Sequence, residues 1–367
     1  MPAAGVPEYN SRMARRICYI HVGPHKTGTS SIQWFLKENR AELLKYGYFV
    51  PESGTIHGAH HAIVRKLCGQ ELRDHQQSAA ENFARVLNDT PAEAIVISSE
   101  ALEGLLRNRD YAKAFFARIG ELNLEPKLVL FPRNQSQSIN SRYSQVVKGF
   151  QRSEPFEAFV LRVTPPSSVR YSPWIELADA YGAELIARPF TREIIVRGVV
   201  GEFLLAIGIN PSQFRHADIR RNASAGPFTV SVARGVLRSI GGTGKHLKWL
   251  QMVRCKTKLA AYLWENGLAD TGYCGLTTAL ARHIEIELQS DNDAFAQRVW
   301  RRPWAEMFAA EVGREFTPND FEMCGPGRFI ERQLRRAIRE MTAIAEQVMV
   351  DPALAVEAPW NDLQRRF

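Results

Sequence analysis

The chain has few cysteines, and none stand in a useful pattern. Five are scattered over 367 residues, at Cys18, Cys68, Cys255, Cys274 and Cys324, with no C-x-x-C pair and no Cys/His cluster. That excludes a zinc ribbon and a dense disulfide scaffold, and it makes reduced, mostly buried thiols the expectation. No apolar run approaches the ~18 residues of a membrane-spanning helix, and the stretch 17–22 is too short for the core of a secretory signal. No Lys/Arg block reaches the length of a polybasic tail although the formal charge is +8, so the positive charge is dispersed. Internal repeats and low-complexity tracts are absent too. A cytoplasmic protein is the expectation, and the charge suggests an anionic ligand, an acidic partner or a membrane surface without choosing among them. Nucleic acid is not expected, since no basic recognition helix is recognisable.

What the chain does have is alternation of strand and helix. Residues 1–14 read as a flexible leader. Residues 17–22 read as a buried strand ended by Gly23-Pro24, and a helical pattern follows over 29–46 through Ile32, Phe35, Leu36, Leu43 and Leu44. Tyr48-Phe49-Val50 is a short strand before Pro51, and 57–89 reads as helical with a polar break around 73–78. Further buried strands are expected at 94–98, 127–131 and 184–187, each followed by a helix-prone segment. That order predicts a parallel sheet with helices on its faces. Beyond residue 222 the pattern is almost wholly helical, over 228–239, 245–265, 277–288 and 328–348. The expected fold is therefore α/β, a P-loop-like parallel sheet flanked by helices over 15–221 with a helix-rich extension over 222–367.

The most informative segment joins the first strand to the first helix: Gly23-Pro24-His25-Lys26-Thr27-Gly28-Thr29-Ser30-Ser31. In open α/β sheets ligands bind at the carboxyl ends of strands. Glycines permit the tight turn, backbone N–H groups at the helix start can face a phosphate or sulfate, and Lys26 adds charge where Thr27, Thr29 and Ser30 add hydroxyls. A nucleoside-triphosphate loop places its lysine immediately after the second glycine; here Thr29 follows Gly28 and the lysine stands two positions before it. A second candidate lies beyond the third long strand, where Phe131-Pro132-Arg133 precedes a helix carrying Ser141. Eight residues is a little over two helical turns, so Arg133 and Ser141 can face one side, the arginine gripping a phosphate bidentately and the serine donating its hydroxyl.

The order K-T-G-T-S is similar to the 5′-phosphosulfate loop of sulfotransferases that use 3′-phosphoadenosine 5′-phosphosulfate (PAPS), and the Arg133/Ser141 spacing resembles that family's 3′-phosphate segment. Arg188-Pro189-Phe190 after the last strand looks like its bacterial and carbohydrate-type branch. The resemblance covers about 20 residues. It implies the sulfotransferase fold, PAPS as co-substrate, and a sulfuryl transfer to a hydroxyl or amine of a small-molecule or saccharide acceptor. It also implies that His25, Lys26, Thr27, Gly28, Thr29, Ser30, Arg133 and Ser141 hold the donor, with Lys26 on the bridging and leaving oxygens. Two features depart from the cytosolic branch. Ser31 stands where that branch has an adenine-stacking tryptophan, with Trp34 one turn further on, and no Arg-Lys-Gly segment follows; Gly241-Gly-Thr-Gly-Lys245 reads as a connection.

For the base that takes the acceptor's proton, Glu100 is the first candidate, just beyond the strand 94–98 and at the same sheet edge; the heparan-type branch is similar in using a glutamate. The rivals are His25, inside the loop, and His61. Spacings of three and four would put His57, His60 and His61 on one helix face, where His60 or His61 could bind an acceptor; no carboxylate or cysteine completes a metal site there. Tyr143, Lys148 and Arg188 are candidates for the acceptor opening, with the helical extension shaping the pocket. The competing readings are a nucleotide or sugar kinase and a non-catalytic module that binds anionic nucleotides or glycans.

Overall fold

The computed structural model describes residues 15–23, 27–52, 58–72, 74–164, 169–214 and 224–350. Its strands are β1 (Arg16–His21), β2 (Tyr48–Phe49), β3 (Ala94–Ser98), β4 (Leu124–Leu130) and β5 (Glu184–Ala187), in the order β2-β3-β1-β4-β5. Pairs β1–β3, β1–β4 and β2–β3 are parallel. All five residues of β3 are buried, the pattern of a parallel strand covered on both faces. The fold is thus α/β, a five-stranded parallel sheet flanked by helices with a helix-rich C-terminal part. Strand order reverses about β1, since β3 lies on one side of it and β4 on the other. The carboxyl end of a strand at such a reversal is where open α/β sheets bind ligands.

Internal contacts group the chain into two units, one of residues 15–23, 32–130 and 177–186, the other of 27–31, 131–176 and 187–350. In the first, Cys18, Ile20, Ile95, Ile97, Leu128 and Leu130 form the fully buried sheet core. Helices α1 (Thr29–Glu38), α2 (Arg40–Lys45), α3 (His61–Leu67), α4 (Asp74–Asp89), α5 (Ala101–Leu105) and α6 (Arg109–Glu121) connect the strands. The helix expected over 29–46 breaks at Asn39, whose amide donates to the Phe35 carbonyl at 2.9 Å. The segment expected as one helix from 57 begins only at His61, and its break falls before Asp74. β4 starts earlier than expected, at Leu124. Its first half has exposed Glu125 and half-buried Lys127 alternating with buried residues, so the apolar run that marked the strand covers only its second half.

In the second unit α7 (Gln135–Lys148), α8 (Phe156–Val163), α9 (Ser172–Tyr181), α10 (Arg192–Arg197) and α11 (Val199–Ala206) precede six further helices. These are α12 (Pro227–Gly241), α13 (Trp249–Glu265), α14 (Thr278–Trp300), α15 (Trp304–Met307), α16 (Phe321–Cys324) and α17 (Arg328–Val350). One apolar cluster runs from Ile139 and Phe156 through Val232, Leu259 and Ile284 to Met341 and Val348. A charged group lies inside it. The Arg234 and Asp320 side chains are each 1% exposed and joined at 2.5 and 2.8 Å. Arg234 also donates to the Tyr143 hydroxyl at 2.8 Å, and Tyr273 donates to Asp320 at 2.6 Å. Tyr143 belongs to this core and is fully buried, which corrects its assignment to an acceptor opening: its ring packs on Phe156, Phe159 and Tyr273 and its hydroxyl donates to the Glu154 carbonyl.

Among the described residues no helix is long and apolar enough to cross a membrane. The buried pair generates a stability prediction. Asp320→Ala would strip the paired carboxylate from the buried Arg234 guanidinium and leave it only the longer contact to Glu322, 3.4 Å from Nε, and it should destabilise the protein by about 3 kcal/mol. The double change Arg234→Met, Asp320→Leu should recover most of that loss, with urea unfolding as the measurement.

Candidate functional site

In the second unit the loop after β1 is described from Thr27 onward; His25 and Lys26 lie outside the described residues. Gly28 has φ +76°, and a Cβ there would stand 2.6 Å from Val199 Cγ1 at the start of α11. Both constraints demand glycine: the left-handed turn and the close approach. The Ser31 N–H donates to the Gly28 carbonyl at 2.9 Å and locks the entry into α1. Thr27 is fully buried, Thr29 is 8% exposed and Ser30 is exposed. The Thr29 hydroxyl is buried and has no hydrogen-bond partner among the described residues. A buried hydroxyl left unpaired costs about 1–3 kcal/mol. The first turn of α1 carries no acidic side chain that would oppose an anion.

Arg133 is held by its backbone. The Tyr171 hydroxyl accepts from the Arg133 N–H at 2.9 Å and donates to the Arg133 carbonyl at 2.8 Å. The Arg133 guanidinium lies 5.7 Å from the centre of the Phe190 ring, and Phe190 is itself anchored by its N–H on the Pro132 carbonyl at 2.6 Å. Burial pulls the guanidinium pKa down while Tyr171 and Glu311 act against it; an arginine remains a cation at neutral pH. Ser141 lies half-buried on α7, two turns beyond the cap at Asn134. Lys148 ends α7, half-buried, where burial first and then the Lys256 charge lower its pKa against Asp270. Arg188 is exposed.

In the first unit two rival base candidates are neighbours. His61 Nε2 is 3.9 Å from Glu100 Oε1, and Gln33 donates to Glu100 Oε2 at 2.8 Å. His61 Nδ1 is 2.8 Å from the Ser99 hydroxyl, which also accepts from the Ala101 N–H at 3.3 Å. The carboxylate is thus oriented by an amide on one oxygen and an imidazole near the other. Glu100 and His61 remain about a third and a quarter exposed, open enough to exchange protons with a ligand. Gly58 (φ +88°) brings the chain so close to α1 that a Cβ would stand 2.5 Å from the Gln33 carbonyl, which carries residues 58–61 past the helix that supplies Gln33.

His60 and His61 do not share the expected helix face. His57 lies outside the described residues, and His60 precedes α3 rather than sharing a helix face with His61. His60 is fully buried and serves as a backbone clamp: Nδ1 accepts from the Ser98 N–H at 3.1 Å, which leaves Nε2–H to donate to the Pro51 carbonyl at 3.0 Å. That removes it as an acceptor ligand. Among the described residues no group of three metal-ligating side chains occurs. Trp34 is half-buried with the Lys37 ammonium 5.0 Å above its ring.

Several contributors escaped the sequence reading. Gln33, Ser99 and Tyr171 orient Glu100, His61 and Arg133, but their only signal is proximity across the fold. His21, at the end of β1, is fully buried with Nδ1 2.8 Å from the Ser98 hydroxyl. Phe190 was visible only as part of Arg188-Pro189-Phe190.

Comparison with family models, with curated proteins and with solved structures finds no match for this chain.

Two predictions follow from this geometry. Gly28→Ala forces both strain and a clash with Val199, and it should abolish anion binding at the loop or lower the urea midpoint measurably. Burial also pushes the His21 and His60 pKa values down from 6.5, to about 3 and about 4. Both stay neutral when folded and take up a proton only on unfolding. Stability should therefore fall as pH drops below 6.5, down to about 4 for His60 and about 3 for His21. Imidazole NMR shifts that stay neutral while the urea midpoint declines would verify this.

Proposed function

We propose that the protein is a sulfotransferase, moving a sulfuryl group from PAPS to a hydroxyl or amine acceptor, with the helix-rich part built on a sulfotransferase-type core. The observation that carries the reading is the loop after β1, whose order differs from a triphosphate loop and whose buried Thr29 hydroxyl has no partner among the described residues. Arg133, immobilised through its own backbone and stacked on Phe190, is the residue for the donor's 3′-phosphate, and Ser141 adds a hydroxyl to that group. Lys26 neutralises charge that develops on the leaving 5′-phosphate oxygen.

In the transfer the acceptor oxygen or nitrogen attacks sulfur, the bond from sulfur to the bridging oxygen breaks, and 3′-phosphoadenosine 5′-phosphate departs. The acceptor's proton goes to a base. Glu100 takes that role, with His61 beside it to receive or share the proton, and Gln33 holds the carboxylate oxygen that does not face the imidazole. Catalysis of this type is mostly positioning and charge stabilisation. A saccharide is the preferred acceptor class, on the strength of the branch that the Arg188-Pro189-Phe190 segment resembles.

The test is consumption of sulfur-labelled PAPS by the purified protein with pooled small-molecule and saccharide acceptors, with and without magnesium. Turnover that persists in chelator supports the reading, because a kinase-type transfer depends on the metal. Glu100→Gln should retain donor binding and lose at least about a hundredfold in turnover. No labelled product under any condition, or magnesium-dependent consumption of ATP instead, would overturn it.

A further inference from the structure

Helix α13 is apolar on two sides. Its buried side is Cys255, Leu259 and Leu263, spaced by four. The opposite side carries Leu250, Val253, Thr257, Ala261 and Trp264, at the steps of three and four that line one helical stripe. Leu250 is 51% exposed and Trp264 65% exposed, and the three residues between them are half-buried. Trp249, 66% exposed, begins the same helix, so the two indoles stand about 22 Å apart along its axis. The Thr257 hydroxyl donates to the Val253 carbonyl at 3.2 Å, and the stripe between the tryptophans presents hydrocarbon.

The edges of this stripe are cationic. No Asp or Glu occurs over 227–264. Lys245 and Lys248 are exposed ahead of the helix, and Arg254 is half-buried one turn on from Leu250. Lys256 and Lys258 are exposed and lie on either side of Thr257, each about 100° around the helix from it. At the far end Glu265 closes the helix, and Glu340 of the adjoining α17 already accepts from Tyr262 at 2.7 Å and Arg336 at 2.8 Å. A second copy of the same face would bring these lysines together, and like charges repel. An uncharged apolar partner would cover the stripe and leave the lysines unanswered. A surface that meets both demands is extended, negative at its outside and apolar just beneath. That is an anionic lipid bilayer, where indoles sit at headgroup depth and lysine stems lie along hydrocarbon with their ammonium groups on phosphates.

We infer that α13 is a docking face for an anionic membrane surface, with Trp249, Leu250 and Trp264 entering the interface and Lys245, Lys248, Lys256 and Lys258 contacting lipid headgroups. No described helix is long and apolar enough to cross a membrane, so the contact is one that lies on the bilayer. It does not rest on the sulfotransferase reading.

The experiment is flotation of the full chain with vesicles of phosphatidylcholine alone and of phosphatidylcholine with phosphatidylserine at about 3:1. Bromine-labelled acyl chains in a parallel series report tryptophan insertion by quenching. The protein should float saturably with the anionic vesicles, about tenfold or more weaker with phosphatidylcholine alone, and weaker again as salt rises. Trp249→Ala with Trp264→Ala should lose about tenfold or more in affinity and most of the quenching. Lys245→Gln with Lys248→Gln should lose about tenfold or more on anionic vesicles and change little on phosphatidylcholine. Unfolding midpoints of both double variants, and their binding of 3′-phosphoadenosine 5′-phosphate, should match the parent protein. No flotation with anionic vesicles, equal flotation with both compositions, or unchanged affinity in the tryptophan variant would overturn the inference. A dimer in solution that the tryptophan variant dissociates would also overturn it, in favour of a second copy on this face.

Discussion

The register of β1 against β3 is the constraint on which the first unit depends. His21 pairs with Ser98 across the two strand ends, and the imidazole reaches the Ser98 hydroxyl beneath them. The Ser98 backbone is then gripped by His60, whose ring also holds the Pro51 carbonyl. This buried polar layer has no room for charge, so both imidazoles stay neutral in the folded protein. It fixes where the chain leaves β3, and so where Ser99 and Glu100 stand relative to His61. A slip of one residue would send His21 and Ser98 to opposite faces and leave two buried polar groups without partners.

The second unit solves a different problem, that of holding a cation ready in a partly buried place. Arg133 follows a buried strand, and its side chain can be aimed only if its backbone is fixed first. Tyr171 does this with one hydroxyl that both donates and accepts, and Phe190 offers a ring face to the guanidinium. The same logic recurs deeper in the helical part, where Arg234 is matched by Asp320 and two tyrosines. The two arginines differ in what surrounds them. Arg234 is answered by a carboxylate within the core, whereas Arg133 is fixed through its backbone by Tyr171 and lies against the Phe190 ring.

Much of the fold was legible in the sequence because its signals are local. The strands at 94–98 and 184–187 are continuous apolar runs or short β-prone tetrads, and they fall where expected. The start of β4 was hidden because Glu125 and Lys127 alternate with buried residues, a half-exposed pattern that reads as loop. The helix after residue 277 runs on to Trp300 rather than ending near 288, since the polar stretch 289–294 continues the helical path while Asp291 and Asn292 are buried. The loop 23–31 and the Arg133 segment stand out as candidates through residue order, whereas the residues that hold Arg133, Glu100 and His61 in place do not. Tyr171, Gln33 and Ser99 act across long chain separations, and nothing in a linear reading marks a tyrosine that will hold an arginine's backbone. Of the expected histidine face only His60 and His61 are described, and they share no helix face because Gly58 has positive φ and α3 begins at His61.

Taken together, these features make a claim about one nucleotide. On the proposed function the loop after β1 takes a 5′-phosphosulfate and Arg133 a 3′-phosphate, so the protein should distinguish adenosine nucleotides by the phosphate on the ribose. The most direct measurement is calorimetric titration of the purified chain with 3′-phosphoadenosine 5′-phosphate, beside adenosine 5′-phosphate and ATP, all without magnesium. The account predicts saturable binding of the 3′-phosphorylated nucleotide alone, lost in Arg133→Ala. Equal binding of adenosine 5′-phosphate, or a preference for ATP, would contradict it.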